Sequence, residues 1–197
     1  MLVRRLLRAS GLSGAVAGAL IAVTEVVSLL VGRQNVDLPS LVNEVIRLAA
    51  FILLLLALVG LYVRQVDQAG TIGVAGFLLA FVGTTLLAGD LWFEAFVFPH
   101  LVEVAPDALA TDPGGILLIG AFFSFLTFIL GWLLFGVASF RAAVFPRVAS
   151  VVLIGGTLIL FPSPLFPPKL VVFAIAVGWM GLWLYRSRGR PVPDHAA

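Results

Sequence analysis

The chain contains no cysteine, which excludes disulfides, thiolate metal sites and cysteine nucleophiles. Charge is almost as scarce. Only 11% of its 197 residues are Asp, Glu, Lys or Arg, against about 25% in an ordinary soluble domain. That leaves too little polar surface to cover a water-soluble particle of this size. Also missing are an HExxH pair, a glycine-rich phosphate loop, a GxSxG elbow and paired histidines for haem. Enzymatic chemistry and bound cofactors therefore have no motif to stand on. No basic, aromatic-laced surface offers itself to nucleic acid.

What remains is apolar: 61% of residues are hydrophobic and the mean hydropathy is +1.16. Lipid is the expected solvent and partner, with self-association or contact with other membrane proteins left open. The fold class expected is all-α, a polytopic transmembrane bundle of about six spanning helices. It forms a single domain over residues 1–186, followed by a polar tail at 187–197. The apolar segments run at about 10–32, 41–63, 71–97, 115–139, 147–161 and 169–185, separated by stretches such as RQNVDLPS, RQVDQAG and PSPLFPPK. The arginines ahead of the first segment suggest a signal peptide. Its spanning length, its Glu25 and the absence of a clear cleavage site read instead as an uncleaved first span. The fifth segment is short for a bilayer core of roughly 30 Å at 1.5 Å per residue.

Charge distribution orients the spans. With the N-terminus in the cytoplasm and six crossings, Arg4, Arg5, Arg8, Arg64, Arg141, Arg147, Arg186, Arg188 and Arg190 fall inside. Only Arg33, Arg47 and Lys169 fall outside, the bias expected of an inner side. Both termini are then cytoplasmic. The loop at about 98–114, with Glu103, Asp107 and Asp112 but no Lys or Arg, lies outside. Tyr62, Trp183 and Tyr185 sit at inner ends and Trp92 near an outer one, as interfacial aromatics do. Trp132, within its span, reads as buried packing.

The segments FRAAVFPRVASVVLIGG and AGFLLAFVGTTLLAGDLWFEAFVFP resemble parts of uncharacterised bacterial six-span integral membrane proteins, of the domain-of-unknown-function type. Together they cover roughly a third of the chain. The resemblance implies a six-helix bundle in a bacterial cytoplasmic membrane, and no activity.

Ionisable groups inside apolar spans are costly, so each asks for a reason. On the first helix Gly11, Gly14, Gly18, Ala22, Glu25 and Gly32 share an arc of about 80°, opposite Leu12, Val16, Leu20, Val23, Val27 and Leu30. Gly14 and Gly18 make a GxxxG pair, which lets helix backbones approach in lipid. The third helix repeats the pattern with Gly76, Ala80, Thr84 and Ala88. Glu94 stands at the edge of that face and Asp90 about 40° further round. On the second helix Ser40, Asn43, Glu44 and Arg47 share one side.

Glu25, Arg47 and Asp90 each lie six or seven residues from an outer helix end, roughly 10 Å below the boundary. The expectation is an intramembrane cluster of Glu25, Arg47, Asp90 and Glu94, with Arg47 in salt-bridge reach of at least one acid. The leading reading is a structural cluster in a non-enzymatic accessory or structural membrane protein. The second is a small proton- or cation-coupled transporter using Glu25, Asp90 and Glu94, and the third is a membrane-embedded enzyme. His100 and Glu103, three residues apart in the outer loop, are weaker candidates that could join Glu94 around a metal. His195 lies in the polar tail. No metal or cofactor site is assigned.

Overall fold

The computed structural model describes residues 2–31, 38–107, 115–161 and 169–187. Every regular element among them is helical, and none is a strand. The expected RQNVDLPS and PSPLFPPK connections lie largely outside the described residues, as do Asp112, Arg188, Arg190 and His195.

The elements are α1 (Leu2–Val31), α2 (Leu38–Trp92), a π-helical turn (Phe93–Val97), α3 (Phe98–Val104), α4 (Ile116–Ala142), α5 (Arg147–Ile159) and α6 (Leu170–Arg186). Three stretches are long and apolar enough to cross a membrane: Arg5–Leu30, Leu38–Val104 and Ile116–Ala142. Arg147–Ile159 and Leu170–Arg186 are apolar but shorter.

The 67-residue stretch Leu38–Val104 would measure about 100 Å if straight. It is not straight. Gly70 adopts φ 59, ψ −163, a region essentially closed to residues with a Cβ. The rings of Tyr62 and Phe77 stack with centroids 4.3 Å apart, although 15 residues of continuous helix would separate them by about 22 Å. The chain therefore reverses at Gly70, giving α2 a first arm (38–69) and a second arm (71–92). Gly70→Ala is expected to cost roughly 1–3 kcal/mol through backbone strain alone, since nothing lies within 4 Å of the added carbon. Gly89→Ala, equally uncrowded but in ordinary helix, should be neutral or slightly stabilising. Equilibrium unfolding of the two variants in detergent would check this, and equal effects would remove the role given to Gly70.

Six helical segments form a closed circuit of antiparallel neighbours. Gly14 of α1 sits beside Ala57 of the first arm, and Gly60 beside Ser10. In the second arm Gly76 meets the backbone of Phe135 in α4, and Gly83 that of Phe128. Gly136 of α4 faces Ile154 of α5, and Gly156 of α5 faces Phe173 of α6. Finally Gly11 and Gly18 of α1 meet Tyr185 and Ala174 of α6. The Arg8 guanidinium lies over the Tyr185 ring, 5.4 Å from its centroid, so the first and last helices meet at one end of the bundle.

Both small-residue faces read from the sequence are buried at helix crossings, but with different partners: α1 packs its glycines on α6, and the second arm packs Gly76, Ala80 and Gly83 on α4. Leu12, Val16, Val23 and Leu30, on the opposite arc of α1, are exposed. The middle of the bundle is filled by Phe51, Phe128, Trp132, Phe135 and Phe173, all at most 2% exposed. Trp132 meets Phe173 edge-on at 4.9 Å and donates its indole N–H to Thr84 Oγ1 at 3.0 Å. A buried tryptophan thus has the polar partner it needs.

Several boundaries differ from expectation: α1 begins at Leu2 rather than about 10, and the first arm of α2 stays helical through RQVDQA to residue 69. Residues 98–104, expected in an outer loop, continue as helix α3. The preceding π-turn explains how a proline is accommodated there. Pro99 has no N–H and its ring crowds the carbonyl four residues back, and the widened turn makes room, with the Phe98 N–H bonded to the Phe93 carbonyl. α5 is 13 residues long, about 20 Å, shorter than the segment read from sequence.

Candidate functional site

The strongest concentration of buried polar groups lies between α1 and the first arm of α2. Ser40, Asn43, Glu44 and Arg47 recur at helical spacing along one stripe, and Thr24, Glu25 and Ser28 do the same on α1. The antiparallel register brings the two stripes together. Asn43 Nδ2 donates to Ser28 Oγ at 3.0 Å and to the Thr24 carbonyl at 3.3 Å. Ser28 Oγ donates to that same carbonyl at 2.8 Å.

One turn further along, Arg47 is wholly buried. Its Nη2 forms an ion pair with Glu25 Oε1, and its Nη1 contacts Glu44 Oε1 at 3.3 Å. Glu25 is 2% exposed and Glu44 13%. Arg47 Nε and Glu44 Oε2 are buried without a hydrogen-bond partner. A guanidinium stays protonated at any accessible pH, so the site holds a permanent positive charge between two carboxylates.

The four residues expected to cluster therefore separate. Glu25 and Arg47 come together across the helix pair, and the second acid on Arg47 is Glu44, which shares its stripe. Asp90 and Glu94 are exposed. Asp90 lies beside Ser124 of α4, whose hydroxyl donates to the Gly120 carbonyl at 3.0 Å. Glu94 lies within the π-turn, where the 100° step used to place it on the small-residue face does not apply. His100 and Glu103 lie exposed on α3. Among the described residues no three His, Asp or Glu side chains are grouped to hold a metal ion.

Comparison with protein-family models, curated proteins and solved structures gives no match.

Sequence reasoning passed over Glu44 as a partner of Arg47, although three-residue helical spacing signalled it. It also passed over Thr24 and Ser28, ordinary hydroxyl residues until Asn43 faces them. The side chains of Gln65, Ser139 and Ser150 are also buried without hydrogen-bond partners among the described residues.

Proposed function

We propose that this chain is an integral protein of the bacterial cytoplasmic membrane, crossing six times with both termini inside, and that it serves as a non-enzymatic accessory component. Six antiparallel segments, the arginine bias toward one side and three helices of spanning length support the membrane placement. The observation that carries the accessory reading is the burial of Arg47 between Glu25 and Glu44. A permanent cation fully enclosed by its counter-ions fastens two helices in one register, whereas a coupling site needs its charge to change or to reach water.

Cysteine accessibility tests the placement. Labels at 98–107 should react from outside, and labels at 64–70, 140–147 and 186–197 only from inside. An inside signal from 98–107 would reverse the orientation, and an outside signal from 186–197 would reduce the spans to five.

A second reading, proton- or cation-coupled transport, is favoured by one observation: Glu44 is partly exposed and its Oε2 is unengaged, leaving room for a proton. Proteoliposomes containing a pH-sensitive dye separate the two. The accessory reading expects no proton movement above that of empty vesicles. A flux present in the wild type and lost in Glu44→Gln would replace it with transport.

A further inference from the structure

Asp90 is the feature that a self-contained bundle leaves unexplained. The second arm runs opposite α4 with Gly76 beside Phe135, Ala80 beside Gly131 and Gly83 beside Phe128. The same register carries Asp90 to the level of Ser124. On α4 this level is intensely apolar. Ile116, Leu117, Leu118, Ile119, Phe122 and Phe123 are each 60–83% exposed. Among the described residues no neighbour covers this stretch, and α5, at 13 residues against 27 for α4, is too short to do so. Asp90 therefore stands exposed on the outside of the bundle, beside Ser124 and level with this apolar stretch. A carboxylate facing acyl chains is expensive.

The surface around it is open to close approach. Nothing lies within 4 Å of a carbon added at Gly89 or Gly120. At the packed crossings, by contrast, Gly11, Gly18, Gly76, Gly83 and Gly156 meet the backbone of a neighbouring helix. The charge on this stretch has one sign: between Arg64 and Arg141 the sequence has no Lys or Arg, but it has Asp67, Asp90, Glu94, Glu103, Asp107 and Asp112. A second copy docking through the same face would bring Asp90 and Glu94 against their own duplicates, a like-charge contact.

We infer that the groove between the second arm of α2 and the outer half of α4 is the docking surface for a transmembrane helix of another membrane protein, one that carries a basic residue opposite Asp90. This rests on the accessory reading and names the chemistry of its partner. The partner's cation meets Asp90, and its backbone approaches over Gly89 and Gly120.

The test uses the full-length protein in lipid vesicles with a fluorescently labelled leucine–alanine transmembrane peptide bearing one arginine near its middle. The same peptide with alanine in that place is the comparison. Energy transfer should report association of the arginine peptide roughly tenfold tighter than the alanine peptide, as one interhelical polar contact allows. Asp90→Asn should abolish that preference, and Gly120→Leu should weaken both peptides while leaving the thermal unfolding midpoint unchanged. Equal binding of the two peptides to the wild type, or a preference that survives Asp90→Asn, overturns the proposal. So does energy transfer between labelled copies that Gly120→Leu removes, which would give the face to self-association. The outcome is independent of the vesicle flux measurement. Proton flux with intact peptide selectivity would end the accessory reading alone, and no flux with no selectivity would end this proposal alone.

Discussion

Arg47→Ala is expected to destabilise the protein by about 3–5 kcal/mol, the largest effect of any single side-chain truncation here. The deletion removes the cation that pairs with both Glu25 Oε1 and Glu44 Oε1, in a site that water barely reaches. The margin of a typical fold is about 5–15 kcal/mol, so the variant should be recovered poorly or unfold at low denaturant. A double-mutant cycle gives the sharper result. Adding Glu25→Gln to Arg47→Ala should restore part of the loss, because it removes a stranded charge, whereas adding Asp90→Asn should restore none. Replacing Glu25, Glu44 and Arg47 together with Leu, Leu and Met should approach wild-type stability. Reversible unfolding in mixed detergent micelles measures all four. Arg47→Ala within about 1 kcal/mol of wild type, or rescue by Asp90→Asn equal to that by Glu25→Gln, would show that the ion pair is not what holds α1 to α2.

Gly18→Leu should have the second largest effect, at the upper end of the roughly 1–3 kcal/mol typical of overpacking. A carbon at this position would stand 2.5 Å from the Ala174 carbonyl oxygen and 2.8 Å from the Gly178 Cα. These are backbone atoms, which cannot swing aside as a side chain would. α1 and α6 must separate along their length instead. Ala80→Leu in the second crossing should behave alike, since Ala80 is wholly buried against Gly131. Val16→Leu, on the exposed face of α1, should stay within about 0.5 kcal/mol of wild type. Unfolding midpoints in detergent decide it, and similar shifts at Gly18 and Val16 would show the packing face to be misassigned.

Much of the fold was legible in the residues, for identifiable reasons. The small-residue arcs of α1 and of the second arm of α2 can be read from spacing because a straight α-helix carries its phase from turn to turn. Which helix receives each arc is a property of the whole bundle, and spacing is silent about it: α1 meets α6, nearly the full chain away. Asp90 shows the same division. Its depth follows from counting residues, whereas its position around the bundle depends on neighbours. Glu94 failed for a local reason, because the π-turn at Phe93–Val97 breaks the phase, and only Pro99 hinted at it. Arg47 was found because a buried cation demands an acid. Which acid serves it depends on register, and that awaited the antiparallel pairing of α1 with the first arm of α2.

The meeting of α1 with α6 also sets an order of assembly during synthesis. Gly18 and Gly178 are 160 residues apart in the chain (178 less 18), so the part of the α1 glycine face that α6 covers is made long before α6 exists. At roughly 5–20 residues per second, the interval lasts about 8–32 s. The hairpin of α1 with the first arm of α2 needs only residues up to about 60 and can lock early through Glu25 and Arg47. Throughout that interval the exposed Gly14–Gly18 face is a ready surface for the corresponding face of another nascent chain. A chain that stops before residue 170 never closes it.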